Sequence, residues 1–268
     1  MGDDRPLLTG RAAVVTGASR GIGRGIAEAL VAEGARVMIS SRRGSSLARV
    51  AEEIGAAAGD GDRVAWFEAN AGDQEAALAC VEATVARFGS VDILVNNAAT
   101  NPYFGPMIDI DVSRAMKTVG VNAVGPLMWV QSAWRCGMRD TGGSVINVAS
   151  IGGYTVEPNI GFYNVTKAAL LHLTRQLAAE LAPRVRVNGI APGLVKTDMS
   201  RALWDGREDA IAAGLPLGRL GTVGDIASAA VFLASEQSAW ITGHTIVVDG
   251  GSMVDGVIAR TREGTAPV

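Results

Sequence analysis

The stretch Arg11-Ala12-Ala13-Val14-Val15-Thr16-Gly17-Ala18-Ser19-Arg20-Gly21-Ile22-Gly23 decides the fold. Arg11–Thr16 reads as a strand with a continuous apolar centre. The residues from Gly21 to Glu33 read as a helix. Between them, glycines at 17, 21 and 23 let the backbone come close to a pyrophosphate. The opening helix offers free N–H groups and the positive end of its dipole. The spacing is G-x-x-x-G-x-G and not G-x-G-x-x-G, and any tight strand-to-helix turn favours glycine. Its place after the first strand is what points to a dinucleotide.

Outward from this turn, short β-branched runs alternate with Ala-rich helical stretches. Strands are predicted at 36–40, 63–68, 93–96, 144–148, 186–190 and 245–248. Helices are predicted at 45–56, 74–88, 162–181 and 223–234. Strands apolar throughout, such as Ile93-Leu94-Val95, suit burial on both faces of a parallel sheet. The pattern predicts an α/β fold: a single-domain, Rossmann-type, doubly wound parallel sheet flanked by helices on both faces, spanning 1–268. The tail after Gly256, about 257–268, is polar.

Composition bounds the rest. Of 268 residues, 48% are hydrophobic and 19% charged, as in globular proteins. A net charge of −3 without basic runs speaks against nucleic acid. Cys80 and Cys136 read as reduced thiols in helices, and His172 and His244 lack metal-ligand spacing, so no metal is expected. The polar start, Met1–Pro6, does not read as a signal peptide, and no stretch approaches a membrane span; a cytoplasmic protein is expected.

The second strand leads into Ser41-Arg42-Arg43, where an acidic residue would hold the ribose hydroxyl of NAD. Arg42 can fork onto a 2′-phosphate, and Arg20 approaches from the glycine turn. Solvated surface arginines are the plain alternative. NADP(H) is favoured, with NAD(H) possible.

Ser150, Tyr163 and Lys167 carry the chemistry. Tyr163 and Lys167, four apart, share one face of a helix. A phenol has a reference pKa of about 10, and an ammonium beside it is expected to lower that value. A drop of ~3 units would amount to roughly 4 kcal/mol. Tyr163 can then protonate a carbonyl oxygen as hydride arrives, while Ser150 hydrogen-bonds the same oxygen. Tyr-x-x-x-Lys alone is a common accident; Ser150 thirteen positions earlier makes the set specific.

With TGASRGIG, Asn96-Asn97-Ala98-Ala99, Asn122, Ser150, Tyr163 with Lys167, Pro192-Gly193 and the closing ITGHTIVVDGG in this order, the chain resembles the short-chain dehydrogenase/reductases over nearly its whole length. Ser40-Ser41-Arg42, the run Asn96–Gly105, Tyr163–Lys167 and Ala191–Thr197 look most like their NADP-dependent tetrameric carbonyl reductases. The peroxisomal tripeptide of some of these is not found in Ala266-Pro267-Val268. The resemblance implies that Gly17, Ser19, Arg20, Gly21, Ile22 and Gly23 cradle the cofactor. Further contacts are implied from Ser41, Arg42, Asn70, Ala71, Asn97 and Ala98, and from Pro192, Gly193, Val195 and Thr197. It further implies that Asn122 holds a water relaying protons to Lys167, that Lys167 binds the nicotinamide ribose, and that Thr197 binds the carboxamide. Two departures stand out: Ala99 replaces a usual glycine, and Asn70 stands where an aspartate commonly caps the adenine.

On the substrate side, Asn101, Tyr103, Phe104 and Tyr154 are expected to line the pocket, though each aromatic could equally be packing. The stretch 197–215, with Trp204, resembles a mobile lid. Glu157 is weighed as a substrate contact and as a solvated charge, and is read as the latter. A 3-oxoacyl-carrier-protein or acyl-CoA reductase has the same chemistry. Arg139 and Arg175 would be its docking charges, Ala179 replacing a basic residue often found there. A catalytically silent NADP-binding sensor or scaffold is the reading from another class. The resemblance also implies a homotetramer, pairing through Ala123–Trp134 and Phe162–Leu181 and through the Val247-Val248 strand.

Overall fold

The computed structural model describes residues 6–254; the start at 1–5 and the expected polar tail at 257–268 lie outside the described residues. In chain order the strands are β1 (Ala12–Thr16), β2 (Arg36–Ser41), β3 (Val64–Glu68), β4 (Ile93–Asn96), β5 (Gly143–Val148), β6 (Val185–Pro192) and β7 (Thr245–Val248). The helices are α1 (Gly21–Ala32), α2 (Gly44–Ala57), α3 (Gln74–Phe88), α4 (Val112–Val119), α5 (Gly125–Ala133), α6 (Arg139–Thr141), α7 (Gly161–Leu181), α8 (Arg201–Trp204), α9 (Glu208–Gly214) and α10 (Val223–Ala234). All seven strands pair in parallel, in the order β3-β2-β1-β4-β5-β6-β7. The order reverses between β1 and β4, and the crevice beyond the carboxyl ends of these two strands is where such sheets bind ligands.

Because successive side chains of a strand face opposite ways, each strand feeds two cores. Ala13, Val15, Val37 and Ile39 pack under Ile26 and Leu30 of α1, Leu47 of α2 and Ile226 of α10. Ala12, Val14, Met38 and Leu94 pack under Cys80 of α3, Trp129 of α5 and Leu177 of α7. This double burial is why these strands are apolar throughout.

Helix ends follow local chemistry. The Asp73 carboxylate accepts from the Glu75 and Ala76 N–H groups at 3.0 Å, and Gly89, at φ +87°, ends α3. Thr222 and Asp225 form a reciprocal cap on α10. α1 differs: no side chain caps it and its first turn holds no acid, so its amides remain free for an anion.

The predicted strands agree within two residues, the largest difference being β6, which runs on to Pro192 beside Val248 of β7. Residues 112–141, read only in part as a helix, form a nearly continuous helical rod. It is interrupted by two wide π-turns, Gly120–Val124 and Trp134–Met138. Gly120, Gly125, Pro126 and Gly137 break the sequence pattern there, and Pro126 is tolerated at the start of α5. Cys80 is buried and Cys136 half-buried, both free thiols. Burial pushes the Cys80 thiol up to about 12. Among the described residues, no cluster of His, Cys, Asp or Glu could hold a metal, and no helix is long and apolar enough to cross a membrane.

Candidate active site

The glycine turn is stapled to β4 from below. Asn97 Nδ2 donates to the carbonyls of Thr16 (2.9 Å) and Gly17 (3.2 Å). The Thr16 hydroxyl accepts from the Asn97 and Ala98 amides at 3.0 and 3.1 Å. Gly17, at φ +66°, leaves no room for a side chain, since a methyl would sit 2.8 Å from Ala98 Cα. One on Gly23 would collide with Asn97 Nδ2 and stand 2.6 Å from the Gly17 carbonyl. The turn is therefore held flat beneath the free amides of α1, a cradle that fits a pyrophosphate. Ser19 is half-buried beside it, and Ile22 anchors α1 on the first core. Thr16 is a site residue that sequence reasoning missed; its place directly before Gly17 is the signal that could have found it.

Around the cradle, the carboxyl ends of the other strands bring the remaining candidates together. Ser41 ends β2, followed by Arg42 and Arg43, both exposed and free of ion pairs among the described residues. Glu68 accepts from the Gly44 amide at 2.8 Å at the head of α2, an acidic neighbour that the sequence did not disclose. Arg20 faces Asp198 at 3.9 Å. Asn70 turns its Oδ1 to the Gly72 amide (3.2 Å), and Ala71 spends its carbonyl on Trp129 Nε1 (3.2 Å). Beyond β6, Gly193 donates to the Val248 carbonyl (2.9 Å), and Val195 is buried. Thr197 lies over Gly21, its hydroxyl 3.0 Å from that of Ser200. The short helices α8 and α9 follow, in the stretch expected to be a lid.

Ser150 stands two residues beyond β5, and its Oγ accepts from the Gly152 amide at 3.1 Å. Tyr163, which α7 presents from its first turn, has Ser150 as the neighbour that draws its phenol pKa down. One turn on, Lys167 is 2% exposed; its Nζ donates to the Val148 carbonyl at 2.7 Å and lies 5.5 Å from the Tyr163 ring centre. Burial pulls the ammonium down to about 7. The Tyr163 phenol is pushed up by burial and by the Glu157 carboxylate, and only the Ser150 bond pulls it back. The expected lowering by Lys167 is thus corrected: the loss of water raises the phenol, and the cation expected to lower it holds its own proton only loosely.

Asn122 lies in the first π-turn, 1% exposed. Its Nδ2 donates to the Thr100 carbonyl (2.9 Å) and Thr166 Oγ1 (3.1 Å), while its Oδ1 accepts from the Thr100 amide (2.8 Å). Both amide protons are committed, so the side chain ties α7 to the segment after β4. Thr166 itself donates to the Tyr163 carbonyl at 2.7 Å.

Of the substrate-side candidates, Asn101, Phe104 and Tyr154 are exposed. Tyr103 is a brace within its own loop, its hydroxyl donating to the Pro106 carbonyl at 2.9 Å. The reading of Glu157 as a solvated charge holds only in part. Glu157 is half-buried, its carboxylate against Gly152 and its charge raising the Tyr163 phenol.

Comparison with known proteins agrees with this geometry. A family model described as "Enoyl-(Acyl carrier protein) reductase" matches residues 17–253. Dehydrogenase/reductase SDR family member 4 of Sus scrofa is 40% identical over 251 residues, 92% of this chain and 89% of that protein. A short-chain dehydrogenase/reductase from Brucella melitensis, described as a glucose/ribitol dehydrogenase, superposes with a TM-score of 0.86 at 32% identity. The match covers 94% of this chain and all of that one (100%). A putative short-chain alcohol dehydrogenase from Sinorhizobium meliloti gives 0.86 at 36% identity, covering 93% and 98%. With its parallel sheet, stapled glycine turn and joined Ser150, Tyr163 and Lys167, the chain belongs to the short-chain dehydrogenase/reductase family.

Proposed function

We propose that this oxidoreductase moves a hydride between NADP(H) and a ketone, aldehyde or secondary alcohol, with Tyr163 as the general acid and base. The observation that carries this reading is Lys167 buried behind Tyr163, its Nζ 5.5 Å from the ring centre, with the Ser150 hydroxyl acting on the same phenol. The nicotinamide, when bound, supplies or accepts the hydride. In reduction, Tyr163 gives its proton to the substrate oxygen, which Ser150 also holds. A phenol pushed up by burial is protonated at neutral pH, the form that gives its proton in reduction. Reprotonation passes by Lys167. A relay water at Asn122 has to use a group other than the side-chain amide N–H, because both of its protons are spent.

Arg42 and Arg43, exposed and unpaired among the described residues beyond β2, support a 2′-phosphate and hence NADP(H). The test is oxidation of NADPH and NADH against aromatic diketones, quinones, retinal-like aldehydes and acetoacetyl-CoA. NADPH turnover is expected, with Arg42→Ala lowering kcat/KM for NADPH about tenfold or more and leaving NADH nearly unchanged. NADH preference in the native protein would overturn the cofactor reading.

A second reading, reduction of 3-oxoacyl thioesters, draws on the acyl-carrier-protein description of the matching family model. Arg139 is engaged by Asp140 at 3.3 Å, which leaves the exposed Arg175 of α7 as the docking charge. Turnover of acetoacetyl-CoA alone would favour this reading. A homotetramer is supported by exposed Met116, Val124 and Val165 on one side and by the fully exposed Trp240 near β7. The free thiols suit a cytoplasmic location.

A further inference from the structure

Beside the reacting hydroxyls the structure holds two polar groups that the family chemistry does not use. Asn164, next to Tyr163 on α7, is 6% exposed, and both its carboxamide atoms lack a hydrogen-bond partner. Such a group is costly to bury and is expected to find a partner. Its oxygen faces Gly152, where an added methyl would collide with it and would stand 2.5 Å from Glu157 Oε2. The carboxylate and the carboxamide therefore meet over one glycine, whose own amide holds the Ser150 hydroxyl. A half-turn of the Asn164 amide, which exchanges its oxygen and nitrogen, presents two N–H donors to Glu157.

We propose that Glu157, held by Asn164, is a substrate-recognising group that selects carbonyl compounds bearing a hydroxyl or other hydrogen-bond donor beside the reacting carbon. This rests on the hydride-transfer reading above and names its substrate class. A half-buried carboxylate accepts such a donor strongly and offers nothing to a plain ketone. The carboxylate accepts a hydrogen bond and transfers no proton, so the hydride step is unchanged. Asn164 is a positioning residue, since it acts through Glu157.

The experiment compares benzoin with deoxybenzoin, which lacks the hydroxyl, in the native protein and in Glu157→Ala, Glu157→Gln and Asn164→Ala. The ratio of the two kcat/KM values removes differences in carbonyl reactivity and in overall fitness of a variant. Glu157→Ala is expected to lower this ratio about 10- to 100-fold, beyond any change that reaches both ketones alike through Tyr163. Glu157→Gln, which still accepts a hydrogen bond, should fall between, and Asn164→Ala should lower the ratio partially. Equal losses on both ketones, or an unmoved ratio, would overturn the proposal and leave hydride transfer standing. Turnover of neither ketone with either cofactor counts against the hydride-transfer reading instead. Recognition is then read by calorimetry with hydrobenzoin against diphenylethanol. Stronger binding of the diol that disappears in Glu157→Ala supports the proposal, and equal or absent binding overturns it.

Discussion

Burying the Lys167 ammonium strips it of water, and its titration falls from the usual lysine range to about 7. In the unfolded chain the same group keeps its proton up to about 10.4. Between these values the unfolded state binds more protons, so stability rises with pH across that window and the cost is fully present below about 7. At pH 7 the cost is on the order of 4 kcal/mol, and near pH 10 it has nearly vanished. Lys167→Met is therefore expected to abolish turnover and, with the Val148 carbonyl left unpaired at both pH values, to be more stable relative to native at pH 7 than at pH 10 by a few kcal/mol. Denaturant melts at the two pH values check this; a variant no more stable relative to native at pH 7 than at pH 10 would contradict it. Lys167, Tyr163 and Ser150 were legible in the sequence because helical spacing and a strand end place them. Asn164 was not, and Glu157 only as one of two readings, because their meeting over Gly152 depends on the path of the loop between β5 and α7, which no periodicity signals. The high Tyr163 phenol was missed for a related reason: charge can be read from letters, but loss of water cannot.

At the scale of elements, α1 and α10 approach so closely that Gly25 cannot carry a side chain. A methyl there would collide with Val223 Cγ1. Gly25→Ala is expected to cost about 1–3 kcal/mol. Val223→Ala in the same chain should return much of that loss, a coupling that denaturant melts of the single and double variants would measure. Strands and most helices were legible because burial on both faces writes itself as unbroken apolar runs. The rod from Val112 to Thr141 was only half legible, since its glycines and Pro126 read as breaks. In the structure the π-turns absorb them, and one of these turns carries Asn122. Helix caps explain a further contrast. α3 and α10 are closed by their own side chains, whereas α1 is left open where an anion is wanted.

At the scale of the molecule, the strand order puts the switch point between β1 and β4, and every candidate site segment follows a carboxyl end of the same sheet. Alternating strands and helices announced that architecture but not the order of the strands, which depends on how the crossover helices pack. Exposed Met116 and Val165 on one face and Trp240 on another suit pairing along two axes. Light scattering should give a tetramer mass, and Met116→Glu should shift it toward smaller species; a native monomer would contradict the assembly reading. The central claim, proton transfer by Tyr163 during hydride transfer, is tested most directly by Tyr163→Phe. NADPH-dependent carbonyl reduction and NADPH affinity, followed by nicotinamide fluorescence, are measured on the same preparation. Loss of more than about a hundredfold in kcat/KM with affinity within about twofold of native is the expected result. Turnover at the native rate in this variant would show that Tyr163 does not carry the proton.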